Sequence, residues 1–340
     1  MNHLITGGAG FIGCNLADAL LSRGEQVTIF DNLSRPRTDL NLKWLQQRHS
    51  ARLRFIQADI RDAEAVAAAV PGHETIFHLA SQVAVTTSVK NPRTDFEINA
   101  LGSLNVLEAA RLAARPPAVF YASTNKVYGG MEDVTVVEQA TRYAYRDMPE
   151  GVHESHLLDF HSPYGCSKGS ADQYVRDYAR IYGLQTVVFR QGCIYGPRQM
   201  GVEDQGWAAH FVIAAVMGRP VTIYGDGKQV RDMLFIDDLV AAYLSALERI
   251  NTVSGRIYNI GGGPTNALSI WAEFGPLLER LTGNRIDVLR GDWRPGDQSV
   301  YISAITKAER DLGWRPQVSV EEGIARLVAW VQQNRDLFEK

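Results

Sequence analysis

The sequence predicts an α/β protein with a Rossmann-type, doubly wound parallel sheet and a smaller, interleaved C-terminal α/β domain. Three observations support this fold class. Short apolar runs alternate with longer amphipathic runs over the first two-thirds of the chain, which is typical of a parallel sheet covered by helices on both faces. The first apolar run leads into a glycine-rich turn that begins at Gly7. The alternation stops after Tyr195, where Gly, Pro, Gln and Trp become frequent.

Apolar runs bounded by polar residues predict the strands, and the longer amphipathic runs predict the helices. The predicted strands are His3–Thr6, Gln26–Phe30, Leu53–Ala58, Thr75–Leu79, Ala118–Ala122 and Gln185–Arg190. The predicted helices are Phe11–Arg23, Ala63–Val70, Ala100–Ala113 and Ser167–Tyr182. We expect residues 1–190 and about 230–257 to form the Rossmann domain, and residues 191–229 and about 258–340 to form the smaller one.

Composition excludes several classes of function. The chain has 340 residues, 45% hydrophobic and 21% charged, which is ordinary for a soluble enzyme. A net charge of -3 gives no basic surface for nucleic acid, and no apolar run reaches the ~18 residues that a membrane span needs. Three cysteines (Cys14, Cys166 and Cys193) without a CxxC pair predict no disulfides, and no signal peptide is visible, so we expect a cytoplasmic protein. The histidines lack metal-ligand spacing, and no metal site is predicted.

The stretch "LITGGAGFIGCNLADAL" reads as strand, glycine turn and helix. Its glycines satisfy Gly8-x-Gly10-x-x-Gly13 and also a shifted pattern that begins at Gly7. Glycine permits a tight turn, close approach of the backbone to a pyrophosphate, and close packing of helix on strand. A helix that begins near Phe11 directs free N–H groups and its positive end at the phosphates. The stretch therefore predicts a dinucleotide site.

An acidic residue ends the second predicted strand. Asp31 lies 18 residues after Gly13, where a carboxylate accepts hydrogen bonds from the adenosine ribose and repels a 2′-phosphate. This position favours NAD over NADP. Arg35 and Arg37 leave the NADP alternative open, because an arginine accommodates that phosphate.

A second pattern indicates acid–base chemistry. Tyr164 and Lys168 are spaced i, i+4 in "YGCSK", so on a helix they share one face. An ammonium beside the phenol would lower its pKa from ~10 toward neutrality, so that Tyr164 could take a proton from an alcohol. Lys168 could also hold the ribose of the nicotinamide. Thr124 follows the fifth predicted strand, at the edge where open α/β sheets bind ligands, and we expect it to bond the same substrate oxygen.

An ordered set of motifs resembles the extended short-chain dehydrogenases/reductases that modify nucleotide sugars. The set is "TGGAGFIG", "HLAS", "STNKVYG", "YGCSK", "YGPRQ", "YGDGKQVRD", "IDDL" and "NIGGG". The resemblance implies bound NAD, a catalytic triad of Thr124, Tyr164 and Lys168, and a homodimer formed through the helices that contain Asn99–Ala113 and Tyr164–Tyr182. With the glycine turn and Asp31 included, it implies that NAD contacts Gly7, Gly10, Phe11, Ile12, Gly13, Asp31, Asn32, Ser34, Arg35, Asp59, Ile60, Leu79, Ala80, Gln82, Asn99, Tyr164 and Lys168.

The residues after Thr124 bear on the reaction. The family's 4,6-dehydratases carry Thr-Asp-Glu where this chain has Thr124-Asn125-Lys126, and an amide cannot supply the acid that dehydration needs. The motif "STNKVYG", the long insertion between Tyr128 and Tyr164, and "DQGW" are similar to the CDP-paratose (CDP-tyvelose) 2-epimerases. This similarity implies inversion at C2 by transient oxidation, rotation of the keto sugar and reduction. A 4-epimerase of a hexose or uronate and a non-catalytic NAD-binding regulator stay open, although the intact triad disfavours a regulator.

The resemblance also implies the substrate contacts. Arg231 would bind the diphosphate, because a planar guanidinium suits phosphate oxygens, and Arg294 and Asp297 would bind the second phosphate and the nucleoside ribose. Cys193 stands where the 4-epimerases have an asparagine, and Ser303 stands where an aspartate is usual. CDP comes from the resemblance alone, so GDP and UDP sugars stay open. The full predicted set is Thr124, Asn125, Lys126, Tyr164, Gln191, Cys193, Arg231, Arg294 and Asp297.

Overall fold

The computed structural model describes residues 1–294 and 297–339, which form strands, helices and a few short turns. In chain order the strands are β1 (Asn2–Thr6), β2 (Gln26–Asp31), β3 (Leu53–Gln57), β4 (Thr75–His78), β5 (Ala118–Thr124), β6 (Val136–Glu138), β7 (Tyr143–Tyr145), β8 (Thr186–Gln191), β9 (Cys193–Tyr195), β10 (Val221–Tyr224), β11 (Val230–Phe235), β12 (Arg256–Ile260), β13 (Ala267–Ser269), β14 (Val288–Gly291) and β15 (Val300–Tyr301).

The helices cover the faces of the sheets. They are α1 (Phe11–Ser22), α2 (Thr38–His49), α3 (Ala63–Ala69), α4 (Val85–Lys90), α5 (Pro92–Phe96), α6 (Gly102–Leu112), α7 (Ser162–Tyr182), α8 (Trp207–Met217), α9 (Ile236–Glu248), α10 (Ile250–Val253), α11 (Phe274–Thr282), α12 (Thr306–Leu312) and α13 (Val320–Gln333). A π-helical turn spans Glu97–Leu101, and 3-10 turns span Asn125–Tyr128, Pro264–Asn266 and Arg335–Leu337.

The large sheet has seven parallel strands in the order β3-β2-β1-β4-β5-β8-β12. This arrangement confirms the predicted Rossmann-type fold. Successive strand residues enter two different cores: Leu4 and Ile76 pack on one face, whereas Ile5 and Phe77 pack on the other. Each such fully buried side chain contributes roughly 1.5–3 kcal/mol. The strand order reverses between β1 and β4, which opens a crevice at the carboxyl edge of the sheet.

A smaller group of strands lies after β8 in the chain. Strand β11 pairs with β9, β13 and β15, and β10 pairs with β14. The division into two domains stays a prediction, but two strands lie differently from it. Residues 230–235 belong to the small sheet, and residues 258–260 belong with 256–257 to the large sheet. The chain therefore crosses between the sheets at β9, β11 and β12, which places the small sheet beside the carboxyl edge of the large one.

The predicted strands and helices match the observed bounds within two residues, except at the start of α7, and some observed helices were not predicted. Helix α7 begins at Ser162 rather than Ser167, because Pro163 is compatible with the first turn of a helix. Helix α6 begins at Gly102, after the π-helical turn, instead of at Ala100. Helix α2 was not predicted, because it is mostly polar and buries only Thr38, Asn41, Leu42 and Leu45.

Candidate active site

The glycine turn between β1 and α1 forms the floor of a cleft at the carboxyl edge of the large sheet. Gly7 has a left-handed φ of 71°, and a Cβ there would lie 2.6 Å from Ala80 N. A Cβ on Gly13 would lie 2.4 Å from Gly7 O, so any side chain would separate the helix from the strand. Gly10 precedes α1, and no side chain caps the helix. The helix therefore offers unpaired N–H groups to an anion, and the turn fits the pyrophosphate of a dinucleotide.

The acidic residue at the end of β2 is fixed by backbone donors. Asp31 accepts hydrogen bonds from Ala9 N (3.1 Å) and from Leu33 N (2.9 Å). Burial raises the pKa of this carboxyl, and the two N–H donors oppose the shift. Asp31 lines the cleft, so its carboxylate faces the place where the sequence predicts an adenosine ribose. Arg35 lines the same region, and burial lowers the pKa of its guanidinium.

Asp59 is engaged by its own neighbours. The Arg61 guanidinium donates two hydrogen bonds of 2.9 Å to its carboxylate, and Asn32 Nδ2 donates a third of 2.9 Å. These bonds hold the pKa of Asp59 well below its usual range. Asp59 and Asn32 both line the cleft, and their mutual bond links the ends of β2 and β3.

Most of the predicted cofactor residues lie together along this cleft. Those that line it are Gly7, Gly10, Phe11, Ile12, Gly13, Asp31, Asn32, Ser34, Arg35, Asp59, Ile60, Leu79, Ala80, Tyr164 and Lys168. Gln82 and Asn99 are not among the lining residues. Asn99 is 1% exposed, and its amide is already paired with Gln82 N (2.9 Å), Gln82 O (3.1 Å), Asp95 (3.1 Å) and Ser167 (3.1 Å). It braces the chain behind the cleft, so a contact with the cofactor stays a prediction.

The three predicted catalytic residues meet where β5 ends against α7. Thr124, Tyr164 and Lys168 are all buried, and the last two lie on one face of α7 as the spacing predicts. Thr124 Oγ1 also accepts a hydrogen bond from Lys126 N (3.2 Å) and so caps the 3-10 turn that follows. This bond explains why a hydroxyl stands at the end of a buried strand: Thr124 is the last residue of β5 and the N-cap of the next turn.

The electrostatics of the pair differ from the prediction. Burial raises the pKa of Tyr164 to about 12, and a hydrogen bond with Thr124 opposes the shift. Lys168 does not lower the pKa of the phenol here, because its Nζ donates to Ala122 O (2.5 Å) and lies 4.3 Å from the centre of the Tyr121 ring. Burial lowers the pKa of Lys168 to about 7, against the pull of Asp172 and Asp95. Burial therefore favours the neutral form of the Tyr164 phenol.

A buried ion pair lies beneath the triad. Asp172 is one turn beyond Lys168 on α7, and Arg190 of β8 donates to its two oxygens at 2.9 Å each. Ser123, which lines the cleft, donates to Asp172 Oδ2 at 2.7 Å. Arg190 Nη1 also donates to Tyr128 OH (3.0 Å). Helix α7 is thus fixed against β5 and β8 by charge as well as by packing.

The predicted substrate residues form a second polar group beside the triad. Arg231 Nη2 donates to Asp297 Oδ1 (2.6 Å), and Lys126 Nζ donates to Gln298 Oε1 (3.4 Å). Burial and the positive charge of Arg231 together lower the pKa of Lys126 to about 8, against the pull of Asp297. Two cations thus share one carboxylate, and this excess of positive charge suits a diphosphate. Gln298 ends the "WRPGDQ" motif, but no role was predicted for it, and it is 1% exposed.

The remaining predicted substrate residues have protein partners. Gln191 lines the cleft and donates to Tyr243 OH (2.7 Å). Burial raises the pKa of Cys193 to about 12, so the thiol stays protonated. Asn125 Oδ1 accepts from Thr124 (3.4 Å), and Arg294 lies 3.9 Å from the centre of the Tyr224 ring. Of the "WRPGDQ" motif, Pro295 and Gly296 lie outside the described residues.

Sequence reasoning missed one wall of the cleft. The missed lining residues include Thr38, Asn41, Val83, Ile98, Arg198, Gln199, Met200 and Gln205. Arg198 and Gln199 belong to the "YGPRQ" motif, and Met200 and Gln205 follow it, so this motif was the available signal for all four. Among residues 1–294 and 297–339, no group of three His, Cys, Asp or Glu side chains could hold a metal ion. Within the same ranges, no helix has the length and apolar character needed to cross a bilayer.

Comparisons with known proteins identify the family. Residues 4–327 match the family described as GDP-mannose 4,6 dehydratase. The chain is 44% identical to CDP-paratose 2-epimerase of Salmonella typhi, over 97% of this chain and 99% of the relative. Its fold is similar to UDP-glucose 4-epimerase of Thermotoga maritima solved with UDP-glucose (TM-score 0.84, 34% identity, 100% of both chains). It is equally similar to dTDP-glucose 4,6-dehydratase of Streptomyces venezuelae solved with NAD (TM-score 0.85, 31% identity, 100% of this chain and 99% of that one). The chain therefore belongs to this family, within the extended short-chain dehydrogenases/reductases whose members act on nucleotide sugars.

Proposed function

We propose that the protein is an NAD-dependent epimerase of nucleotide-diphosphate sugars that inverts C2, of the CDP-paratose/CDP-tyvelose type. The observation that carries this proposal is that Tyr164 and Lys168 line a cleft whose glycine turn suits a dinucleotide, and that Thr124 bonds Tyr164 beside it. The preference for C2 and for a CDP sugar comes from the 44% identical relative, which matches 97% of the chain.

The residues of the chain divide the work between proton transfer and binding. NAD, when bound along the glycine turn and Asp31, supplies the oxidising and reducing equivalents. Tyr164 takes the proton of the substrate hydroxyl and later returns it, while Thr124 holds the same oxygen. The Lys168 ammonium favours the Tyr164 phenolate once the amine leaves its hydrogen bond with Ala122 O. Arg231 and Lys126 bind the diphosphate and adjoining sugar hydroxyls.

The residues beside Thr124 disfavour dehydration. A 4,6-dehydratase needs an acid that expels a hydroxyl and a base that removes a carbon-bound proton. Asn125 cannot supply the acid, and the Lys126 amine is held by Gln298 in the direction of Asp297 and Arg231. Epimerisation needs neither group, because Tyr164 alone moves the proton in both directions.

We also propose a homodimer formed through α6 and α7. Large apolar side chains on this part of the surface are exposed in the described chain, and the Tyr178 and Tyr182 rings meet edge to face beside them. The exposed ones are Phe96, Leu101, Leu112, Tyr174, Ile181 and Tyr182. A second copy fits this face, because two identical helix pairs can cover each other about a twofold axis. Light scattering should give twice the mass of one chain, and Ile181→Glu should give the mass of one.

The described cysteines agree with a reducing compartment. Cys14, Cys166 and Cys193 are all free, and Cys166 is exposed. We infer that the protein is cytoplasmic, where exposed thiols stay reduced.

Incubation with sugar nucleotides in D2O tests the function. CDP-, GDP- and UDP-sugars, including CDP-paratose, are incubated with the purified protein, and the products are read by NMR. We expect a CDP sugar inverted at C2 without deuterium on carbon. Inversion at C4 would replace the proposal with a 4-epimerase, and deuterium at C5 would indicate dehydratase chemistry. No conversion of any sugar by protein that holds NAD would indicate a regulator.

A further inference from the structure

One wall of the cofactor cleft is formed by residues 197–205, which we call the wall loop. Arg198, Gln199, Met200 and Gln205 of this loop line the cleft together with Gly10 and other residues of the glycine turn. The loop follows β9 and leads into α8 of the small domain. It takes no part in the proton chemistry proposed above.

Two amide side chains tie the wall loop to the helices of the large sheet. Asn15 of α1 donates to Pro197 O (3.2 Å), and Asn41 of α2 donates to Arg198 O (3.3 Å). Asn15 also donates to Phe11 O (2.8 Å), in the first turn of the helix that follows the glycine turn. The loop is therefore held at the level of the pyrophosphate end of the cleft.

The Arg198 side chain adds a third tie. Its guanidinium carbon lies 3.9 Å from the centre of the Trp44 ring of α2 and 5.8 Å from that of Trp330 of α13. Among the described residues, no carboxylate lies within ion-pair distance of it. Burial lowers its pKa, but a guanidinium stays charged, so aromatic faces replace a carboxylate as its partners.

The backbone at this point is strained. Arg198 has a left-handed φ of 72°, which L side chains rarely adopt. Such a conformation persists only where surrounding contacts hold it, and here Asn41, Trp44 and Trp330 supply them.

Three residues on this side of the cleft carry unpaired acceptors. Asn41 Oδ1, Gln199 Oε1 and Gln205 Oε1 are buried and have no donor among the described residues. The Asn41 amide is oriented by the carbonyls of Ala9 and Arg198, which leaves its oxygen free. Unmet buried acceptors are unfavourable. A ligand with ribose hydroxyls or a carboxamide would satisfy them after a rotation of the side chains.

We propose that Arg198 is a positioning residue whose stacking on Trp44 holds the wall loop over the dinucleotide and keeps it bound between turnovers. This inference rests on the proposed NAD cofactor. The Arg198–Trp44 contact would slow the release of NAD. Slow release suits an epimerase, because its NAD is regenerated in every cycle and does not need to leave. The Arg198–Trp44 contact would affect the rate of NAD release but not the proton transfer at Tyr164.

Cofactor exchange measures retention without any sugar substrate. Protein that holds NAD is incubated with isotope-labelled NAD and desalted, and the labelled fraction is followed by mass spectrometry. We expect Arg198→Ala to exchange its NAD about tenfold faster, because a cation–π contact of this kind corresponds to about 1.4 kcal/mol. Trp44→Leu should also exchange faster, because it removes the nearer of the two aromatic contacts of Arg198. The double variant should exchange no faster than Arg198→Ala, because the Arg198–Trp44 contact is already lost in that single variant. Added NAD should raise the turnover of both variants but not that of the unaltered protein.

Arg48→Ala is the matched control. Arg48 also stacks on Trp44, at 5.2 Å, but it pairs with Asp18 and does not belong to the wall loop. Its exchange rate should equal that of the unaltered protein. Exchange by Arg198→Ala and Trp44→Leu within twofold of that rate would overturn the inference and leave the proposed function intact. Unaltered protein that neither holds nor takes up NAD would overturn both.

Discussion

The ion pair between Arg190 and Asp172 gives the sharpest test of how α7 is held against the large sheet. Arg190 is 2% exposed and Asp172 0%, and two hydrogen bonds of 2.9 Å join them. Loss of one partner from a buried pair costs about 3–5 kcal/mol, because the other charge is left without compensation. In Arg190→Met, Asp172 keeps donors from Ser123 and Gln173, each at 2.7 Å. We therefore expect the lower end, about 3 kcal/mol of the free energy of unfolding.

A surface pair of the same shape provides the control. Arg142 donates two hydrogen bonds to Glu273, at 2.7 and 2.6 Å, but these side chains are 32% and 23% exposed. Water compensates the remaining charge, so Arg142→Met should cost less than about 1 kcal/mol. With an m-value of about 3 kcal/mol/M, urea midpoints should fall by roughly 1 M for Arg190→Met and by less than about 0.3 M for the control. Equal shifts for the two variants would refute the assignment of this cost to burial.

Three further predictions concern turnover, cofactor binding and pH. Tyr164→Phe should lower turnover at least ~100-fold with NAD content unchanged, by loss of proton transfer; near-normal turnover would remove Tyr164 from its role. Gly13→Ala should yield protein without NAD, because the new Cβ would lie 2.4 Å from Gly7 O. Gly130→Ala is the control: its Cβ would have no atom nearer than 3.5 Å, so this variant should keep NAD. Absorbance of the nucleotide released on denaturation measures the NAD content of both. Burial raises the pKa of Asp232 to about 6, so the folded state binds a proton more tightly than the unfolded chain. The free energy of unfolding should therefore fall as pH rises from about 4 to 6, by at most about 3 kcal/mol. Urea unfolding of Asp232→Asn should lack that part of the fall, and identical pH profiles would contradict the cause.

The sequence predicted those parts of the site that local patterns determine. The glycine turn, Asp31, Tyr164 and Lys168 each lie in a strand–turn–helix or i, i+4 pattern, and the structure brings them to one cleft. Asn41 was missed because α2 is a mostly polar helix with a weak pattern of burial.

Partners from distant segments could not be predicted in the same way. Gln298 reaches Lys126 across 172 positions, and Asn41 reaches the wall loop across 157. Such contacts depend on how the two sheets pack and leave no periodicity in the chain. One signal was available for the Arg190–Asp172 pair. Asp172 lies four residues after Lys168 and so on the same buried face of α7, and a buried carboxylate needs a cation as its partner.

The same reasoning accounts for the failed prediction about the Tyr164 phenol. The i, i+4 spacing places Lys168 on the correct face, but the amine donates to Ala122 O, a carbonyl of β5 that the helix pattern cannot indicate. Burial then acts on both groups in the same sense, since it disfavours the phenolate and the ammonium alike. An anion in the cleft favours the ammonium, and an ammonium near the phenol favours the phenolate. The spacing therefore predicts the shared face of the two side chains correctly, but the bond to Ala122 O and burial determine the directions of their pKa shifts.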